Sequence, residues 1–112
     1  MEASSTRSPP LGRISIASEA IAQIVAHVAA EAYGVVGTAG RGLGRFRGRR
    51  GIEIRREGDD VLVDLHVVVE YGLNLAEVAS TLRNRVTYEV ERLTGLRVTV
   101  VEIHIEDVRR SA

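Results

Sequence analysis

Three groupings of residues in this chain have types suited to chemistry. The first is a set of acids and imidazoles, Asp64, His66, Glu102, His104 and Glu106, spaced two apart within stretches 61–70 and 97–108 that alternate as strands do. If those two strands are neighbours, two imidazoles and several carboxylates meet on one face, and such a set has the right donors for a metal ion. The same alternation is also what a solvated strand face looks like, with cross-strand pairs worth roughly 0.2–1 kcal/mol each. No compact ligand motif such as H-E-x-x-H is present. The expectation is therefore a solvated face and no metal.

The second grouping is GRGLGRFRGRRG, Gly40 to Gly51, with Arg41, Arg45, Arg47, Arg49 and Arg50, no acid, and Phe46 as its aromatic residue. Guanidinium groups beside a stacking ring suit the phosphates of nucleic acid or of acidic lipid headgroups, so these five arginines form a candidate anion-binding set. A solvated connection in an arginine-biased chain explains the same composition, and every basic residue here is arginine. The chain carries fifteen basic and fifteen acidic residues, so nothing global points to nucleic acid or membrane. Because the loop is basic, the remainder is net acidic.

The third is His27. No nucleophile is placed with it by a recognisable spacing, which favours a surface histidine over a catalytic base. Other catalytic classes are closed by composition. There is no cysteine, hence no disulfide, thiolate metal site or cysteine nucleophile. There is no lysine for a Schiff base or a Walker motif, and the glycines follow neither G-x-G-x-x-G nor G-x-x-x-x-G-K-[ST]. The reading is a non-enzyme with no catalytic residues, no cofactor and no small-molecule substrate.

The elements that must position these residues follow from hydrophobic spacing. Leu75, Val78, Ala79, Leu82, Val86, Val90 and Leu93 recur at steps of three and four, predicting a long amphipathic helix. Asn74 stands at its start as a cap, with Glu77 placed as in a capping box, and Gly95 stops it. Tyr88 falls on its outward side. An earlier helix runs from a Ser18 cap to about Tyr33 and ends at Gly34, with Ile21, Ile24, Val25, Val28 and Ala32 as its buried stripe. Ala22, Ala26, Ala29 and Ala30 leave part of its surface smooth. Together with Tyr88 they form the candidate interaction surface for a neighbouring subunit.

Strands are expected at 13–17 (Ile14 and Ile16 inward), 52–56, 61–70 and 97–108, with Glu57-Gly58-Asp59-Asp60 as a hairpin turn. Val35 and Val36 give a brief extended piece. In the last strand Val98 and Val100 are out of phase with Val101, Ile103 and Ile105, and a bulge near Val100 would return all five to the core. The expected fold is α+β, a two-layer sandwich of βαββαβ order, in which two helices cover one face of a mainly antiparallel sheet. Residues 1–12 read as a disordered tail, 13–108 as a single domain carrying the Arg/Gly loop 40–51, and 109–112 as a frayed end. The beginning of the chain has no run apolar enough for a signal peptide or membrane span, so the default location is cytoplasmic.

Two stretches together resemble a known family. GRISIASEAIAQIVAHVAAEAYGVVGTAGRG resembles the opening of the alkaline shock protein family, Gls-type envelope-stress proteins of bacteria. VDLHVVVEYGLNLAEVASTLRNRVTYEVERLTGLRVTVVEIHIEDV resembles its second half, including the E-Y-G turn, the N-x-x-E-V helix start and the T-G-L stop. The chain departs from the pattern at Ala76, where proline is common, and at Thr38, where methionine usually stands. The resemblance implies a small, cytoplasmic, non-enzymatic protein that forms homo-oligomers and serves cell-envelope homeostasis, in some relatives held at the membrane by a membrane-anchored protein partner. For some relatives it implies a link to a fatty-acid synthesis enzyme.

Overall fold

The computed structural model describes residues 12–38 and 51–110. In chain order these form α1 (Ser18–Glu31), β1 (Val35–Thr38), β2 (Ile52–Glu57), β3 (Asp60–Glu70), α2 (Leu75–Thr94) and β4 (Arg97–Arg109). As expected, the architecture is α+β: two helices pack on one face of a four-stranded, mainly antiparallel sheet.

β3 is the axis of the sheet. Its alternating Val61, Val63, Leu65, Val67 and Val69 are almost wholly buried under the helices. β4 runs parallel to it along one edge, from Asp60↔Arg97 to Glu70↔Arg109. β1 and β2 are both antiparallel to β3, against Val67–Val69 and Asp60–Leu65 respectively. A strand has only two edges, so β1 and β2 lie end to end along the second one. α1 lies over β1 and β2, while α2 lies over β4.

The long helix begins and ends as its sequence dictates. Asn74 Oδ1 accepts the Glu77 N–H at 3.0 Å. Gly95 adopts φ 76° and donates its N–H to the Glu91 carbonyl. Glu91 Oε2 in turn accepts the Val98 N–H at 3.0 Å, tying the end of α2 to the start of β4. The 57–60 hairpin also forms, closed by Glu57↔Asp60.

Several local expectations are corrected. Residues 13–17 join no ladder, and Ile14 is 90% exposed. The sheet draws its fourth strand from Val35–Thr38, which takes the stretch of β3 edge, Val67–Val69, that β2 leaves open. The 13–17 stretch is tied down by the Arg56 guanidinium donating to the Ile16 carbonyl at 2.8 Å. Ser18 is not the cap: that position is Ala17, without a side-chain cap bond, and the helix ends at Glu31. Gly34 (φ +86°) forms the turn beyond it, its carbonyl accepting the Glu70 N–H at 2.9 Å.

The bulge in β4 exists, one residue earlier than expected. It leaves Thr99 unmatched between Val98↔Val61 and Val100↔Leu62. Val98, Val101, Ile103 and Ile105 thereby face the helices, whereas Val100 turns to the other face and is 39% exposed. A second bulge leaves Glu106 unmatched. At the far end Arg109 is paired rather than frayed: its carbonyl accepts the Tyr71 N–H at 2.7 Å, and the Arg110 guanidinium lies 4.5 Å from the Tyr71 ring centroid. The stripe of α2 is exposed at both ends, at Leu75 and Leu93.

Candidate functional site

The face of the sheet away from the helices carries the first grouping. Parallel register sets Asp64 beside Glu102 and His66 beside His104. The two imidazole rings stack, with centroids 4.4 Å apart and planes 12° from parallel. His66 Nδ1 meets Glu106 Oε2 at 2.6 Å, an approach made possible by the bulge that frees Glu106 from the ladder. His104 Nε2 faces two carboxylates, Asp64 Oδ1 at 3.2 Å and Glu102 Oε1 at 3.7 Å. The other oxygen of Asp64 faces Arg55 on β2 at 3.9 Å. All five residues of the expected cluster therefore meet across two strands.

A second feature was not legible. Ala20, Gln23, Ile24, His27, Val28 and Glu31 of α1 face Arg85, Glu89, Arg92 and Leu93 of α2 across an outer groove of ≈ 640 Å³. Ile24, Val28 and Leu93 form its apolar floor. Its rim holds a His27–Glu31 contact at 3.2 Å and an Arg92–Glu89 ion pair at 2.7 Å. The hydrogen bond from Arg92 to Glu89, with the attraction of that carboxylate, raises the guanidinium pKa above its usual value. The sequence shows Gln23, His27 and Glu31 on one helical line and the charged residues of α2 on another. That the two lines oppose each other depends on how the helices cross, for which no local signal exists.

The expected interaction surface is only partly available. Ala22 (4% exposed) and Ala29 (fully buried) belong to the core beneath α1 and cannot meet a partner. Ala26 is half-buried against that core, while Ala30 and Tyr88 are exposed. By helical period Ala26 and Ala30 adjoin the groove line on α1, three residues on from Gln23 and His27. Tyr88 lies one turn from both Arg85 and Arg92, at the outer rim.

Arg41, Arg45, Arg47, Arg49 and Arg50 lie outside the described residues. The flanks of their segment are described. Thr38 pairs with Val67 and Ile52 with Leu65, and the Gly51 carbonyl accepts the N–H of the intervening His66 at 2.8 Å. The segment thus leaves and rejoins the sheet edge at one place, opposite His66.

Two helices over one face of a four-stranded sheet define a small α+β module. One solved structure with this fold is MamM-CTD 215-293, at TM-score 0.53 and 18% identity, covering 81% of this chain and 99% of that one. Residues 6–110 match the model of the ASP23 family, cell envelope-related function, and the chain belongs to that family. Its relatives include the uncharacterized protein YloU of Bacillus subtilis (33% identical, covering 88% of this chain and 89% of that one). Another is the uncharacterized protein Spy1614 of Streptococcus pyogenes (25% identical, 88% of each). The alkaline-shock resemblance is thereby confirmed. Among the described residues no helix is long and apolar enough to cross a membrane.

Proposed function

We propose that this chain is a non-enzymatic module of the cell envelope that associates with copies of itself and docks a membrane-associated protein from the cytoplasmic side. The observation that carries this reading is the groove between α1 and α2. Its floor is apolar and its rim alternates in sign, with Glu31 and Glu89 against Arg85 and Arg92. A twofold contact must be self-complementary, and a rim carrying both charges satisfies that condition where a single-sign rim would repel itself. Leu93 (54% exposed) supplies apolar area within it and Tyr88 (63%) supplies more beside it. Ala26 and Ala30, on the flank of α1, offer a second smooth surface for a further neighbour or for the membrane-associated partner.

Replacing Leu93 by glutamate tests the reading, since Leu93 is half out of the core already. The variant should remain folded by circular dichroism and lose self-association in light scattering. Unchanged association in a folded Leu93→Glu protein would remove the groove from the account.

A second reading has one specific support. The strands that flank the arginine segment, β1 and β2, follow one another along a single edge of β3, which supports a separate role for the segment as an anion-binding element for nucleic acid or acidic lipid. Deletion of residues 41–50 separates the two readings: self-association persists under the first, and anion binding is lost under the second.

A further inference from the structure

We propose that Asp64, Glu102 and His104 form a binding site for a divalent transition-metal ion of the zinc type on the open face of the sheet. Their donor atoms, two carboxylate oxygens and an imidazole nitrogen, lie within 4.8 Å of one another. Ligands held about 2.0–2.2 Å from such an ion stand about 3–3.6 Å apart. The observed separations from His104 Nε2 are 3.2 and 3.7 Å.

An ordinary ion pair accounts less well for this arrangement. One ring nitrogen carries one proton and serves one carboxylate well, yet two carboxylates converge on the same nitrogen. A cation would engage all three donors once the carboxylates, within 4.8 Å of each other, close to the spacing of about 3.6 Å that a shared ion allows. The ring is also oriented from behind: it stacks on His66, and His66 is itself held by Glu106 at 2.6 Å. The stacking limits how far the His104 ring can turn away from the two carboxylates. Arg55 draws the second oxygen of Asp64 to the β2 side, which leaves Oδ1 directed at the site.

The donor set selects the ion. A chain without cysteine offers no thiolate. An imidazole with two carboxylates suits Zn²⁺ and its neighbours in the transition series better than Mg²⁺ or Ca²⁺, which take oxygen alone. Three protein ligands leave further positions for water. Because the ligand is neutral imidazole, binding weakens as the pH falls.

The test is calorimetric titration of the full chain with ZnCl₂ near neutral pH. One ion per chain is expected, with affinity falling about tenfold or more in His104→Ala and in Glu102→Gln. Both residues are exposed, so both variants should keep the wild-type circular dichroism. No heat with the wild-type chain would overturn the proposal. So would heat that both variants retain in full, or heat that only His27→Ala abolishes, which would move the ion to the helix groove.

Discussion

Thr38 and Ile52 stand two positions apart along β3, opposite Val67 and Leu65, although residues 39–51 separate them in the chain. β1 and β2 are therefore two halves of one edge strand, and Gly51, opposite His66, is the single residue needed to join them. Glycine can take an extended conformation as readily as the left-handed one (φ 79°) it holds here.

Excision of residues 39–50 should accordingly give a folded protein with an unbroken edge strand. Removing the closed loop lowers the entropy cost of folding by about 1–2 kcal/mol. Thermal and urea denaturation should show stability equal to or above that of the full chain. A large loss would mean that the excised residues contribute to the core.

Gly34→Ala should destabilise the domain by about 1–3 kcal/mol in urea denaturation. The position has φ +86°, and an added Cβ would sit 2.7 Å from Leu73 Cδ1 and 3.0 Å from Val78 Cγ2. Strain and crowding act together at the turn that leads α1 into the sheet. In contrast, Gly58→Ala keeps the strain of a positive φ without meeting any atom, and should cost less.

Adjacent alanines on α1 should respond in opposite ways to glutamate. Ala29 is fully buried, so Ala29→Glu places a charge without a partner in the core and should remove about 4 kcal/mol or more. Ala30 is exposed, so Ala30→Glu should leave denaturation nearly unchanged, and any effect should appear in association. Equal destabilisation by the two would contradict the observed rotation of α1.

Asn74→Ala removes the acceptor for the Glu77 N–H and should cost about 0.5–2 kcal/mol. Ser18→Ala should cost little, because Ser18 lies inside the helix and makes no cap bond.

What could be read in the sequence was whatever a single period or a single turn residue determines. The stripe of α2, its Asn74 and Gly95 ends, the 57–60 hairpin and the inward valines of β3 all have local causes, and each formed. The phase slip in β4 was readable as a bulge because period two leaves no other way to bring Val98 and Ile103 to one face. Non-local competition was not readable. Two short apolar stretches, 13–17 and 35–38, sought one remaining piece of sheet edge, and only the tertiary arrangement decided between them. Two of the four alanines, Ala22 and Ala29, were misplaced for a similar reason: small residues suit a helix packed closely on its own sheet as well as on a partner, and these two serve the first purpose. The His/acid cluster was readable up to the condition that its strands be neighbours, which the parallel pairing of β3 with β4 meets.

The central claim is that this module works by association. Multi-angle light scattering on the full chain at micromolar concentration tests it most directly. A mass at least twice that of one chain is expected, reduced to a single chain by Leu93→Glu. A wild-type protein that remains monomeric across that concentration range would contradict it.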